Sequence, residues 1–242
     1  MTVSESSDRT ADSCLQAVIF DFDGLLMDTE STSLKSWQYE WEQWGLELDA
    51  NTFFVNHGGD VTQERYAQLA QAVGEGFDRA LSHRRRVQFR DRLHESLNLA
   101  DGMRAWIIEA VESGKRLAVA SSSPRDWLTR HLGRVGLLVH FEVLAAGDEV
   151  DHHKPAPDVY ELALRRLNLP PADAVAVEDT GHGVDAAHAA GLRCIAVPNP
   201  LVQPDVVGHA QLVLRSAATL SLEDALTHCV GASPRPRRKS SS

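Results

Sequence analysis

Short apolar runs alternate along this chain with longer amphipathic stretches, and this alternation restricts the fold more than any other feature. The apolar runs predict strands at residues 16–20, 116–121, 141–145, 174–178 and 192–196, with a last short strand in QLVLRS. Helix-spaced apolar residues lie between them, as in DGMRAWIIEAVESG and PDVYELALRRLN. Apolar strands separated by helices indicate a parallel sheet that is covered on both faces. The predicted fold class is therefore α/β.

Residues 33–97 interrupt the alternation and predict an inserted helical domain, because they contain no apolar run longer than FFV. Trp37, Trp41 and Trp44 are four and three residues apart, so we expect them to line the buried face of one helix. The basic run HRRRVQFRDRLH is typical of a solvated helix face, although a face turned toward a cleft would suit an anionic substrate.

These patterns predict four regions of the chain. Residues 15–32 and 98–230 form the α/β core, and residues 33–97 form the helical domain. We expect a disordered leader at residues 1–14, which is polar. We also expect a disordered basic tail at residues 231–242, which combines proline, serine and four positive charges and has no apolar residues able to support packing.

The composition disfavours several classes of protein. A formal net charge of −10 argues against a general nucleic-acid surface, because phosphate backbones attract basic faces. No segment approaches the roughly 18 unbroken apolar residues of a membrane span. Cys14, Cys194 and Cys229 are odd in number and far apart, which predicts buried thiols in a reducing compartment rather than disulfides. We therefore expect a cytoplasmic protein, and its oligomeric state stays open.

Residues with catalytic chemistry follow most of the predicted strands. In an open parallel sheet, ligands gather outside the carboxyl ends of the strands, so we expect these residues to share one site. Four carboxylates at one sheet edge require positive compensation, and oxygen ligands with few His or Cys favour Mg²⁺. The set is Asp21, Asp23, Ser121, Ser122, Ser123, Lys154, Glu178 and Asp179.

The spacing of Asp21 and Asp23 suits a division of labour. Residues two apart on an extended strand face the same way, so both carboxylates can point at one reacting centre. An ionised carboxylate can act as nucleophile while a protonated neighbour donates a proton to the leaving oxygen. Gly24 directly behind them permits a sharp backbone turn that brings the chain close to a ligand.

Four motifs, each after a strand, resemble the haloacid dehalogenase superfamily: DFDGLLMDTE, the serine of AVASSS, KPAPDVY and VEDTGHGVDAAHAAG. The motifs occur in family order over nearly the whole core. The opening DFDG and the helical segment after it are similar to the subgroup with a small helical cap, which includes β-phosphoglucomutase and sugar-phosphate phosphatases. The resemblance implies a Rossmann-like parallel sheet with an inserted all-helical cap domain.

The resemblance also implies roles in phosphoryl transfer. Asp21 would be the nucleophile that attacks phosphorus, and Asp23 would be the general acid and later the base that activates water. Ser121 would hydrogen-bond a phosphoryl oxygen with help from the backbone of Ser122, while Lys154 would neutralise charge on the phosphate and the nucleophile. Positioning and charge stabilisation supply most of the catalysis in such a reaction.

A metal site is implied in the same way. Mg²⁺ would be held by the Asp21 carboxylate, the Asp23 backbone carbonyl and Asp179, with Glu178 nearby as a direct or water-mediated ligand. The expected partner is a small phosphorylated metabolite that reaches this centre beside Gly24, with neither a nucleic acid nor a membrane involved.

Several activities stay open at this point. Asp23 disfavours dehalogenation, in which no leaving alcohol needs a proton. A β-phosphoglucomutase activity is weakened, because Ser33 stands where that enzyme carries histidine and the loop NHGGDVTQER lacks an arginine soon after its glycine. Arg65, or one of the arginines at 84–86, is a candidate substitute. We predict a Mg²⁺-dependent phosphatase of metabolites such as sugar phosphates, with a catalytically silent binding protein as the alternative from another class.

Two competing motifs are weaker. GHGVDA at residues 181–186 matches a dinucleotide-binding loop, but the two acids before it would repel a pyrophosphate. The histidines near the strand ends have no coherent zinc spacing, so we expect them to be solvated or locally bonded. They are His152, His153, His182 and His188.

Ser123 precedes Pro124, an arrangement that fits a helix N-cap followed by proline at the first helical position. We therefore expect Ser123 to cap a helix and Ser121 to serve the site.

Overall fold

A computed structural model of the chain describes residues 15–53, 61–199 and 206–232. In this part of the chain, one parallel sheet of six strands has the order β3-β2-β1-β4-β5-β6. The strands are β1 (Ala17–Phe20), β2 (Arg116–Ala120), β3 (Val143–Ala145), β4 (Ala174–Glu178), β5 (Arg193–Ala196) and β6 (Leu212–Val213).

Helices lie between and after the strands. Four of them follow β1 and form what we call the helical cap: α1 (Thr29–Glu42), α2 (Ala50–Phe53), α3 (Thr62–Val73) and α4 (Arg79–Glu95). The others flank the sheet and are α5 (Met103–Glu112), α6 (Arg125–Arg134), α7 (Asp158–Leu167), α8 (Gly181–Ala189) and α9 (Leu222–Gly231).

The sheet is buried on both faces because its side chains alternate in direction. β1 turns Val18 and Phe20 toward α5, α6 and α9, where they join a cluster with Trp106. Ala17 and Ile19 face the opposite side, where the sheet is rich in alanine and packs against α7 and α8. Each large side chain buried in this way contributes roughly 1.5–3 kcal/mol to folding.

This architecture confirms the predicted α/β fold with a parallel sheet and a helical cap. Strand β2 ends at Ala120 and β3 begins at Val143, so both are shorter than the predicted strands at 116–121 and 141–145. The first helix of the cap begins at Thr29, ahead of the predicted domain start at residue 33. The domain boundaries themselves stay a prediction.

The helical cap has a small core of its own, formed by Trp37, Phe53 and Tyr66. The tryptophan prediction holds for Trp37, whereas Trp41 is only half-buried and Trp44 lies beyond the end of α1. Trp41 still packs against this core, and Trp44 contacts the Phe77 ring.

The expectation of a fully solvated basic run is wrong for Arg86. Its side chain is buried, with the guanidinium 4.3 Å from the centre of the Trp37 ring. Its Nε donates to the Tyr66 hydroxyl at 2.9 Å, and Nη1 donates to Ser36 Oγ at 3.3 Å. The preceding Arg85 forms an ion pair with the buried Glu40. These two arginines therefore stabilise the cap rather than forming a solvated face.

Two short segments connect the cap to the sheet domain, and they lie side by side. Met27 and Leu99 form an antiparallel bridge. The backbone N–H of Asp28 donates to the Asn98 carbonyl at 3.2 Å, and that of Ala100 donates to the Leu26 carbonyl at 3.0 Å. We call this paired connection, residues 26–28 and 98–100, the neck.

Cys194 and Cys229 are buried free thiols, as the sequence predicts. Burial raises the pKa of Cys194 well above its ordinary value, and that of Cys229 to about 12. Within the described residues, every helix is too short or too polar to cross a bilayer. The predicted leader with Cys14, residues 54–60 of the cap loop and nearly all of the predicted tail lie outside the described residues.

Candidate active site

The predicted site residues meet at the carboxyl edge of the sheet. Asp21 follows β1, Ser121 follows β2 and Glu178 ends β4. The central position of β1 accounts for this arrangement, since β1 pairs with β2 on one side and β4 on the other. Beyond β1, the N–H of Asp21 donates to the Val177 carbonyl at 2.9 Å. Residues distant in sequence are thus fixed against one another by backbone hydrogen bonds.

Lys154 lies at the centre of the site. Its Nζ contacts Asp21 Oδ1, and it donates to Glu178 Oε1 at 2.6 Å and to the Ala120 carbonyl at 2.9 Å. The Tyr160 hydroxyl donates to the same Glu178 oxygen at 2.7 Å. Burial works against the charge of Lys154, but Asp21 and Glu178 outweigh it and raise the pKa of the ammonium. Lys154 is therefore held as a cation.

Three buried carboxylates lie close together here, and we call Asp21, Glu178 and Asp179 the acidic cluster. One oxygen of each lies within 4.8 Å of the others. Burial raises the pKa of Asp21 well above its ordinary value, Lys154 opposes that effect, and Glu178 and Asp179 add to it. Three carboxylates this close together favour a bound cation in addition to Lys154. An all-oxygen donor set suits a hard ion such as Mg²⁺.

Two glycines, which have no side chain, leave space for the carboxylates of Glu178 and Asp179. A Cβ on Gly24, whose φ is 85°, would lie 2.1 Å from Asp179 Oδ2. A Cβ on Gly183 would lie 2.0 Å from both Cδ and Oε2 of Glu178. Side chains at these positions would fill the space that the carboxylates occupy. The glycines of the GHGVDA segment are thus explained by packing, because Gly181 likewise lies against the Val206 carbonyl.

Asp23 is held by three donors from the β2–α6 region. Trp127 Nε1 donates to Oδ1 at 3.0 Å, while Ser123 Oγ donates to Oδ2 at 2.6 Å. Ser121 Oγ lies 3.5 Å from Oδ2 and accepts the N–H of Ser123 at 3.0 Å. Burial raises the pKa of Asp23, and the hydrogen bonds from Ser123 and Trp127 oppose it. A raised pKa suits a carboxyl that carries a proton to a leaving group.

The prediction that Ser123 caps a helix is wrong. The N-cap of α6 is Pro124, and no side chain makes the capping hydrogen bond. The Ser123 hydroxyl instead points toward Asp23 and donates to its Oδ2, a charge-assisted hydrogen bond when the carboxyl is ionised. Both Ser121 and Ser123 therefore belong to the site.

A cleft of about 590 Å³ separates these groups from the helical cap. Asp21, Asp23, Lys154 and the serines at 121–123 line its floor. The cap side includes Ser33 of α1 and Arg65 of α3. Arg65 donates to the Phe53 carbonyl at 2.9 Å and stacks on the Phe53 ring. Of the arginines that we considered as substitutes in a mutase, Arg65 is the one placed in the cleft.

The four histidines near the strand ends lie in two kinds of surroundings. His152 pairs with Asp158 at 3.0 Å, and His188 lies 3.0 Å from Gln211. His153 and His182 line the cleft. The described residues bring these side chains together in no group with three metal-binding partners.

Tyr160 and Trp127 are site residues that sequence reasoning missed. Both occur within amphipathic helices, where an aromatic residue usually signals packing. The available signal was position: Tyr160 lies six residues after Lys154, and Trp127 lies on the helix that follows the serine motif.

Comparison with known proteins gives a family match over most of the chain. A model of the haloacid dehalogenase-like hydrolase family matches residues 18–197. The match includes the aspartate, serine, lysine and acidic motifs together with the whole helical cap.

Individual relatives carry more detail. The chain is 31% identical over 184 residues to fructose-1-phosphate phosphatase YqaB of Escherichia coli. The aligned region covers 74% of this chain and 95% of that protein. The chain is 32% identical over 187 residues to a phosphorylated carbohydrates phosphatase of Thermotoga maritima, covering 75% and 84%. A mutant of CbbY from Rhodobacter sphaeroides, solved in complex with xylulose-(1,5)bisphosphate, is 32% identical with a TM-score of 0.63, covering 85% and 96%.

Proposed function

Because the chain belongs to the haloacid dehalogenase-like hydrolase family, we propose that it is a Mg²⁺-dependent phosphatase of phosphorylated sugars that works through an aspartyl-phosphate on Asp21. The contact between Asp21 and Lys154 at the floor of the cleft carries the proposal. A buried carboxylate held beside a fixed ammonium is suited to attack phosphorus while the ammonium offsets charge on the phosphate.

In the first reaction, an Asp21 oxygen forms a bond to phosphorus and the bond from phosphorus to the sugar oxygen breaks. Asp23 donates its proton to that leaving oxygen, so the sugar departs as an alcohol. Lys154 and the serine region after β2 stabilise the charge on the phosphoryl oxygens. When bound at the acidic cluster, Mg²⁺ supplies further positive charge for this transfer.

In the second reaction, water attacks phosphorus and the bond to Asp21 breaks. Asp23 accepts a proton from the attacking water, which returns both aspartates to their starting forms. Inorganic phosphate is the product.

Sugar phosphates are the proposed substrates for two reasons. The similar proteins include a fructose-1-phosphate phosphatase, a phosphorylated carbohydrates phosphatase and a structure with xylulose-(1,5)bisphosphate. In addition, Ser33, Thr62 and Arg65 provide polar groups on the cap side of the cleft, where a sugar would lie above the reacting phosphate.

The test is phosphate release from a panel of sugar phosphates, nucleotides and simple monoesters, with Mg²⁺ and with a chelator. We expect metal-dependent release from one or more sugar phosphates and its loss in Asp21→Asn. The matched control is Asp28→Asn, which changes a neighbouring aspartate that caps α1. Conversion of β-glucose 1-phosphate to glucose 6-phosphate without net release would instead support the mutase. Turnover that survives in Asp21→Asn would contradict the proposed nucleophile.

A further inference from the structure

The indole nitrogen of Trp127 donates to the carboxyl that we propose as the general acid, Asp23. Its indole N–H lies 3.0 Å from Asp23 Oδ1, while the Ser123 hydroxyl donates to Oδ2. Ser121 and Ser123 line the cleft, and Trp127 approaches Asp23 from α6 behind them. The two oxygens of Asp23 therefore have different surroundings.

The Trp127 ring is itself held on two sides. His131, one turn later on α6, has its ring centre 4.0 Å from that of Trp127. His94, at the end of the cap helix α4, lies edge-on at 5.0 Å and is 3.0 Å from Thr32 Oγ1 on α1. Burial lowers the pKa of His131 and lowers that of His94 to about 4, so both rings are neutral near pH 7. The indole is thus held by ring contacts from both the core helix α6 and the cap helix α4.

The chemistry of the donors distinguishes the two oxygens. An indole N–H can only donate, whereas a serine hydroxyl rotates and can either donate or accept. Oδ1 faces the obligate donor and must stay an acceptor. Oδ2 faces the rotatable hydroxyl, which can accept a hydrogen bond from a protonated oxygen. Reversing the carboxyl would place an O–H against the indole N–H.

We propose that Trp127 is a positioning residue that fixes the orientation of the Asp23 carboxyl and so presents Oδ2, on the side of the cleft serines, as the oxygen that gives its proton to the leaving group. The inference rests on the proposed phosphatase function and deepens it. Because His94 belongs to the cap, the orientation of the acid also depends on how the cap is seated on the core.

The prediction that separates this role from a structural one concerns the leaving group. Phenyl phosphate and p-nitrophenyl phosphate have nearly the same shape, but only the more basic phenolate needs a proton as the bond breaks. The ratio kcat/KM reports the transfer to Asp21 and does not depend on later hydrolysis of the aspartyl-phosphate.

The experiment compares Trp127→Phe with wild type on both aryl phosphates. We expect kcat/KM for phenyl phosphate to fall about 10-fold to 100-fold, and that for p-nitrophenyl phosphate to fall less than about threefold. Asp23→Asn should give the same selective pattern, and the double variant should be no worse than Asp23→Asn, because Trp127 acts through Asp23. Trp127→Tyr is the second replacement if Trp127→Phe does not fold.

Trp106→Phe is the matched control, since it removes an indole N–H that donates to the Leu220 carbonyl at 2.9 Å, and neither residue lines the cleft. It should lower the melting temperature without changing the ratio of the two kcat/KM values. Equal losses on both substrates in Trp127→Phe, or additive losses with Asp23→Asn, would overturn the positioning role while leaving the phosphatase intact. Absence of metal-dependent turnover in wild type would overturn the proposed function first.

Discussion

Gly183→Ala places one methyl group against the carboxylate that organises the site. The added Cβ would lie 2.0 Å from Glu178 Cδ and Oε2 and 2.2 Å from Oε1. Ordinary van der Waals contact begins near 3.4 Å, so Glu178 has to move by more than 1 Å. Glu178 is fully buried and accepts hydrogen bonds from Lys154 and Tyr160, which leaves it no solvent into which to retreat.

Two losses are expected from this displacement. Overpacking of a buried site costs about 1–3 kcal/mol in the free energy of unfolding. Moving Glu178 also withdraws a partner from Lys154 and shifts the ammonium beside Asp21, and a displacement of roughly 1 Å lowers activity about 100-fold. We would measure urea unfolding and kcat/KM for the best sugar phosphate of the panel.

Gly133→Ala is the matched control, because Gly133 is also helical and an added Cβ there meets nothing within 4 Å. It should raise the free energy of unfolding by about 0.5–1 kcal/mol, since alanine favours the helix, and leave kcat/KM unchanged. A Gly183→Ala protein with wild-type stability and activity would refute the argument that Glu178 must stay where it is.

Three other changes test charged groups. The pKa of Glu149 is lowered from its ordinary 4.5 to about 2, chiefly by hydrogen bonds from Arg166, so its contribution is complete above pH 4.5 and is lost as the pH falls toward 2. Urea unfolding should therefore show wild type about 1 kcal/mol more stable than Glu149→Gln at pH 7, with a gap that closes at low pH; a constant gap would contradict the pairing. Arg86→Met should lower the free energy of unfolding by about 2–3 kcal/mol, against less than about 0.5 for the exposed Arg84→Met, and equal effects would show that the cap does not depend on the buried guanidinium. Millimolar Mg²⁺ should raise the melting temperature of wild type but not of Asp179→Asn, and equal shifts would place the cation elsewhere.

The sequence predicted those site residues whose position follows from strand order. Asp21 comes just after a strand and Glu178 ends one, and a parallel sheet brings strand ends together. Lys154 lies on the loop between β3 and α7, which reaches the same edge. The fold class was predictable for the same reason, since buried parallel strands need continuous apolar runs.

The residues that were not predicted correctly have roles that depend on contacts between different helices and strands. Ser123 was predicted to cap a helix because the local sequence shows the proline that follows it. The Asp23 carboxyl, to which its hydroxyl donates, is distant in sequence. Arg86 looked solvated because its run is basic, while the rings of Trp37 and Tyr66 that enclose it come from other helices. The hydrogen bond between Trp127 and Asp23 arises from the packing of α6 on the sheet, which the local sequence does not show.

The neck gives the chain a modular construction. Since the cap leaves and re-enters the sheet domain through two hydrogen-bonded neighbours, the whole of α1–α4 is joined to the rest by a pair of covalent connections that lie next to each other. A different helical insert with matching ends would leave the sheet uncut, but it would also have to replace the contact between His94 and Trp127. Exchange of the cap would therefore keep the strand order but alter the packing on Trp127, and with it the surroundings of Asp23.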